Sequence, residues 1–282
     1  MKSRLLFILF ISTTLIPPTT LASTHPWGPQ SQETLVERFP APPGAERVGL
    51  AAGSFGAWLR ALPVKPVGSP VRHYDGSIKT RDMHAAVLDI DVGKRDLQQC
   101  ADAVIRLRAE YLWATDCREL IEFHFTSGDL ARWPDWASGQ RPRVGGNQVA
   151  WSRRASRDDS YVNFRRYLSA VFAYAGTISL KQELEPVADP RKIQIGDVFI
   201  QSGSPGHAVM VLDVAVDAAG RRQVLLGQSY MPAQDIHVLK RPGSESPWYP
   251  ATAGGDVLTP EWRFQAVDLR RFPVANCSTS TR

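Results

Sequence analysis

The hydrophobic pattern of this chain changes period once. Up to about residue 180 the apolar positions recur mostly at helical spacing, and from Ile195 onward they alternate. The clearest helical stretch runs from about 97 to 113. Asp96 stands where an N-cap would, and Gln99 follows three residues later, as in a capping box. Cys100, Val104, Leu107 and Tyr111 fall on one face, widened by Ala101, Ile105 and Leu112. Asp102, Arg106 and Glu110 follow at i, i+4 on the opposite side, the pattern of a solvated face. Ser54 predicts the cap of a short helix over 55–59, ended by Leu62-Pro63. Asp159 or Ser160 predicts the start of another that closes near Gly176, and Ser179 with Gln182 predicts a short capped turn.

Strands are expected at 85–92, 197–200, 207–215 and 224–228. Turns are expected at Asp75-Gly76, at 202–206 and at 217–220, and 236–240 and 262–269 are read as extending the sheet. Residues 126–157 are rich in Gly, Trp and Arg, have no period, and read as a long surface-crossing insertion. Helices first and an antiparallel sheet second define an α+β class, a helix packed on an antiparallel β-sheet.

The N-terminus has its own pattern. Lys2 and Arg4 precede an apolar run from Leu5 to Ile16, which is short against the roughly 20 residues of a membrane span. Pro17 and Pro18 break it, and Thr20-Leu21-Ala22 offers small residues for cleavage, so 1–22 reads as a secretory signal peptide. The expected organisation is then a mobile polar leader over 23–33, a single domain over 34–272 and a polar tail over 273–282. The expected location is secreted or periplasmic, with no membrane span in the mature protein. The balance of 33 Lys+Arg against 28 Asp+Glu is mildly basic and scattered, without the long basic runs of a nucleic-acid binder.

An oxidising exterior sharpens the reading of Cys100, Cys117 and Cys277, since three cysteines cannot all pair within one chain. If Cys100 is a free nucleophile, Cys117 and Cys277 are the natural disulfide. Cys100 stands in the first turn of the strongest helix, where unsatisfied N–H groups and the helix dipole favour a thiolate. The competing reading is a small core hydrophobe sharing a face with Val104. His207 opens a strand directly after Pro205-Gly206, where an imidazole can take a thiol proton. Gln228 ends the next strand and can orient that ring, and Gln98, just upstream, is a candidate donor to a developing oxyanion. His73, His84, His124, His207 and His237 show no metal-ligand spacing, and no nucleotide-binding glycine motif appears. No metal and no cofactor is therefore expected. Glu183 with Glu185, or Asp89 with Asp91, are the carboxylate pairs available for glycoside hydrolysis, but such sequence neighbours are usually solvated.

The order of cysteine on a helix, histidine on a strand and a polar residue on the next strand resembles papain-like hydrolases. GDVFIQSGSPGHAVMVLDV followed by VLLGQS is similar to the second half of a CHAP domain, the cysteine, histidine-dependent amidohydrolase/peptidase, with Asp197, His207 and Gln228 in the matching places. That resemblance implies a papain-like fold and amide-bond cleavage, often in peptidoglycan. Two departures stand out: the cysteine context is Gln-Gln-Cys-Ala-Asp, and a glutamine replaces the usual acidic third residue. Most of residues 35–272 also resembles a secreted bacterial family, domain of unknown function 4846. The segments DLQQCADAVIRLRAEYLW, IQIGDVFIQSGSPGHAVMVLDV, QSYMPAQDIHVLK and SPWY carry that likeness, which implies no particular activity.

The function expected is a secreted cysteine amidohydrolase or peptidase whose partner is a cell-envelope polymer or peptide. The rival is a binding protein on a degenerate scaffold. It would use Trp133, Trp136, Trp151, Trp248 and Tyr249, in predicted loops, to stack on sugars or on a protein partner.

Overall fold

The computed structural model describes residues 25–28, 31–251, 255–274 and 277, so the expected signal peptide lies outside the described residues. In chain order the first elements are α1 (Leu35–Arg38), β1 (Ala45–Arg47), α2 (Phe55–Arg60), β2 (His84–Val87), α3 (Cys100–Ala114), β3 (Glu122–His124) and β4 (Leu130–Arg132). Next come α4 (Trp133–Ala137), β5 (Gln140–Gly145), β6 (Gln148–Arg153), α5 (Tyr161–Tyr174), α6 (Thr177–Glu183), β7 (Glu185–Pro186) and β8 (Val198–Gln201). The remainder is strand: β9 (His207–Asp217), β10 (Arg222–Gln228), β11 (His237–Leu239), β12 (Tyr249–Ala251), β13 (Val257–Leu258), β14 (Arg263–Phe264) and β15 (Leu269–Arg271).

β9 is the spine of an antiparallel sheet ordered β2-β11-β10-β9-β8-β15-β7. Its length lets it take two partners along one edge, β8 against 207–210 and β1 against 215–217. Its side chains alternate between two apolar layers. Ala208, Met210 and Leu212 join the layer containing α3 and α5, while Val209 and Val211 join a second layer with Phe199, Leu226 and Phe264. A bulge at Leu212, where Leu225 pairs Asp213 and Leu226 pairs Val211, resets the phase, so Val214 and Ala215 change sides. The result is a mixed α+β protein with a large antiparallel sheet and few helices.

Several expectations need correction. The main helix starts three residues late: Gln99 is its N-cap and Asp102 completes the capping box. Asp96 instead accepts from Gln99 Nε2 and from the Ala233 backbone, at 3.0 and 2.7 Å. Asp102, Arg106 and Glu110 are buried, not solvated. Arg106 lies 2.8 Å from Asp91 and 3.2 Å from Glu110, and residues from α5 and from the segment before α3 cover this face. The supposed insertion of 126–157 is ordered structure: the β3–β4 hairpin, α4 and the β5–β6 hairpin. It looked aperiodic because its elements are too short to show a period. Residues 262–269 contribute β14 to a separate two-stranded hairpin with β13, and only β15 joins the main sheet. The short turn near Ser179 is α6, capped from Gly176.

The described residues nearest each end are held. In the leader, Trp27 stacks on His25, meets Trp58 edge-on and donates its indole N–H to the Asp89 carbonyl, so 25–28 is packed. At the other end Cys117 and Cys277 form the expected disulfide, closing 160 residues of chain and leaving Cys100 free.

Candidate functional site

Three elements converge where β9 begins. Cys100 is the first residue of α3, and α3 packs on β9 through Val104, Ala208 and neighbouring apolar residues. The loop before His207 runs tight against α6. A Cβ on Gly206 would stand 2.4 Å from the Thr177 hydroxyl and 2.9 Å from two carbonyl oxygens, so only glycine fits there. This seats the start of β9 beside the Cys100 helix. A cleft of about 240 Å³ opens between them, lined by Cys100, Asp102, Phe172, Thr177, the 203–206 loop and Met231. Larger cavities border Arg108 and Phe272, away from Cys100.

The Cys100 sulfur lies near the backbone N–H groups at the start of α3 and that of Ala208, which hold its pKa down somewhat. Ala208 is the residue after His207 in β9. Burial nevertheless pushes the thiol pKa up to about 11, with the neighbouring Asp102 adding to the rise. Of the two readings of this position, burial favours the small buried side chain: desolvation outweighs the end of the helix and holds the group as a thiol.

His207 is buried in an aromatic box, its ring centroid 4.9 Å from Tyr230, 5.3 Å from Trp262 and 5.8 Å from Phe264. Desolvation in that box lowers its pKa to about 4. Its Nε2 lies 2.7 Å from Gln228 Oε1. The orientation of that amide is determined by what lies behind it. Gln228 Nε2 donates to Glu261 Oε2 at 2.6 Å, and a carboxylate only accepts. The amide oxygen must therefore face the ring, which puts the imidazole proton on Nε2 and leaves Nδ1 with a bare lone pair. Lys79 closes the chain, its Nζ 2.9 and 3.2 Å from the two Glu261 oxygens and 5.1 Å from the Tyr230 ring centroid. His237, with Nδ1 2.9 Å from the Asp235 carbonyl, offers Nε2 to the same Gln228 amide at 3.5 Å.

The structure thus joins His207 to Gln228 directly and brings Cys100 to the residue after His207. Tyr230 packs edge-on against the His207 ring, and its phenol pKa is raised by burial, by Glu261 and, when ionised, by Cys100. Gln98 is elsewhere. Its amide oxygen accepts from Arg106 Nη1 at 2.7 Å beneath the helix start, and it does not line the cleft. Asp197 is also elsewhere. It pairs with Arg271 at 2.6 Å and caps the Gln194 N–H, pinning β15 to the start of β8. Gln201, four residues on, is the residue that pairs His207, so Asp197 lies about 13 Å along the strand from it.

Sequence reasoning missed Glu261 and Lys79. Neither belongs to a motif, and Glu261 lies 33 residues from Gln228. The only local hint was an acidic residue beside Trp262, and Trp262 itself walls the His207 box. Conversely, Trp133, Trp136, Trp248 and Tyr249 are buried core, and Trp151 is half-buried against Phe125. The aromatic stacking platform of the binding reading is therefore not there. Glu183 is taken by His124, at 3.2 Å.

These features define the class: an α+β protein with a free cysteine at a helix start beside a histidine on a long antiparallel sheet. The chain belongs to the family described as Domain of unknown function (4846), whose model matches residues 35–271. No curated protein and no solved structure matches the chain. Among the described residues no helix is long and apolar enough to cross a membrane.

Proposed function

We propose that the protein is a secreted, papain-like cysteine amidohydrolase or peptidase acting on cell-envelope peptides. One observation carries the reading: the His207–Gln228–Glu261 chain leaves a bare Nδ1 on a neutral imidazole, one residue before Ala208, whose backbone N–H lies near the Cys100 sulfur. A neutral thiol beside a neutral imidazole implies proton transfer concerted with attack, in place of a resting ion pair. Catalytic contacts commonly tighten when substrate binds.

In this mechanism His207 Nδ1 takes the Cys100 proton as the sulfur bonds to the substrate carbonyl carbon, and the carbonyl oxygen becomes an oxyanion. Gln98 is in no position to donate to it, so that role falls to the N–H groups at the start of α3. The intermediate collapses, the C–N bond breaks and the imidazolium returns its proton to the leaving amine. Water then gives a proton to His207 and its oxygen to the thioester carbonyl. The C–S bond breaks, the acid leaves and the thiol is restored. Gln228 holds the ring throughout and carries no charge to it.

The test is hydrolysis of purified peptidoglycan and its stem peptides. Cys100→Ala and His207→Ala are expected to lose at least about a hundredfold of wild-type activity, and Cys117→Ala to retain it. Equal activity in wild type and Cys100→Ala would refute the mechanism. No activity in either, with tight binding to glycan, would return the protein to the binding class.

A further inference from the structure

A second concavity, of about 510 Å³, is lined by four arginines, Arg95, Arg141, Arg165 and Arg166, with no acidic residue among its lining. Its lining interleaves along the chain with that of the Cys100 cleft. Arg95 lines the groove and Asp96 the cleft; Ala173 and Tyr174 line the groove and Phe172 and Ala175 the cleft. Neighbouring residues are only 3.8 Å apart between Cα atoms, so the end of α5 and the 95–96 segment contribute to both cavities.

The four cations differ in how they are held. Arg141 is fixed flat, its guanidinium 4.1 Å from the Trp136 ring and bonded to the Trp136 and Gln140 carbonyls and to Asn163. Arg165 is anchored through Nη2 to Asp91 at 2.9 Å, while its Nη1 makes no hydrogen bond and lies 3.9 Å from Glu110. Arg95 and Arg166 are exposed at the rim, and Asp158 is the carboxylate whose field Arg166 and Arg141 share. Two preorganised guanidinium groups and two exposed ones line one groove with fewer carboxylates behind them than cations, and planar guanidinium matches carboxylate in a bidentate fork.

Resting on the reading of Cys100 as nucleophile, we propose that this groove is the substrate-recognition site for carboxylates, and that the preferred substrate is an acidic peptide whose cleaved amide lies over Cys100. A peptide is favoured over a phosphate polymer because the Cys100 cleft leads to an acyl-transfer nucleophile, for which a phosphodiester chain has no amide.

Binding is separable from cleavage in the Cys100→Ala chain, followed by fluorescence polarisation. The probes are a labelled peptide with two acidic side chains and the same peptide with both carboxylates amidated. The acidic peptide is expected to bind at least about tenfold tighter, to weaken as salt rises from about 0.05 to about 0.5 M, and to lose its advantage in Arg95→Glu/Arg166→Glu. Both of those residues are on the surface, and an unchanged melting temperature confirms that the double variant folds. Equal affinity for the two peptides, or an unchanged preference in the double variant, overturns the proposal. Displacement of the peptide by a polyglycerol-phosphate chain at much lower concentration also overturns it, because the groove would then be a phosphate site. Arginine-dependent binding with no cleavage of any acidic peptide by wild type would leave this inference standing and remove the catalytic one.

Discussion

Two polar clusters flank α3, and they handle buried charge in opposite ways. Beneath the helix, Arg106 meets its anions directly: Asp91 at 2.8 Å and Glu110 at 3.2 Å, with the Tyr161 hydroxyl donating to Glu110 at 2.7 Å and Arg165 to Asp91 at 2.9 Å. At the start of β9, Glu261 lies as close to a partner, but that partner is the neutral Gln228 amide and the imidazole comes only after it. A carboxylate touching His207 would favour the imidazolium. Relayed through an amide, Glu261 sets the ring's orientation and tautomer while desolvation keeps its pKa at about 4. The first cluster uses charge to hold a helix in place, and the second uses charge to fix a hydrogen-bond direction while keeping the charge itself away from the histidine.

The most severe test of this contrast is Arg106→Met. Burial raises the Glu110 carboxyl pKa and Arg106 is the main influence pulling it back. Removing the cation leaves Glu110 with only Arg165, 3.9 Å away, and takes one of the two arginines from Asp91. The expected loss is about 3–5 kcal/mol of stability at neutral pH, as for other broken buried pairs. The loss should shrink on acidification as Glu110 takes a proton, and chemical denaturation at pH 7 and pH 5 measures both. A pH-independent loss would show packing, not charge, to be the role of Arg106.

A somewhat smaller effect belongs to the other cluster. Burial lowers His207 to about 4 and His237 to about 3, against 6.5 for a free histidine. Below pH 6.5 the unfolded chain binds protons that these native rings refuse, so stability falls with pH, first across the window from 6.5 to 4 and then on to about 3 for His237. Each ring's share is of the order of 3 kcal/mol when that window has been crossed. His207→Phe, which suits the aromatic box, should flatten the slope of unfolding free energy against pH between 6.5 and 4. An unchanged slope would mean that His207 titrates alike in the native and unfolded chains, and the desolvated ring of the mechanism would go with it.

The same contrast explains what could be read from the residues. Cys100, His207 and Gln228 were legible because each stands at a position set by local pattern: the start of a 3.6-period run, and the ends of two alternating ones. The burial of Asp102, Arg106 and Glu110 was not legible. Spacing at i, i+4 is the same whether water or Asp91 and Arg165 lie opposite, and those partners come from other segments. The thiol state of Cys100 was not legible for a related reason. A helix start is visible in sequence, whereas the desolvation that overrides it depends on which strand and loop close over the sulfur. Asp197 fell in a familiar motif yet serves Arg271, because register places it at the far end of β8. Glu261 could not be found, since an amide–carboxylate contact leaves no spacing rule behind.

The finest test of the comparison is Glu261→Gln, which keeps shape and removes charge. In the wild type the carboxylate can only accept, so Gln228 must turn Nε2 toward it and Oε1 toward His207. With an amide at 261 either face of Gln228 can be satisfied. The His207 ring can then receive an N–H instead of a carbonyl and shift its proton from Nε2 to Nδ1, which blocks the lone pair needed to take the Cys100 proton. Lys79 also loses its partner, though it retains the Tyr230 ring face at 5.1 Å. The expected outcome is a fall in kcat of about tenfold, the size of a single lost orienting interaction, with KM little changed because Glu261 does not line the cleft. A purely structural role would lower stability without touching the tautomer, so nitrogen NMR of the His207 ring is the deciding readout. Wild type should show protonated Nε2 and bare Nδ1, and the variant a mixture of both tautomers. Retention of a single Nε2–H form alongside a tenfold loss would move the cause from tautomer to packing. Retention of both the tautomer and full activity would show that Gln228 is oriented by His237 alone.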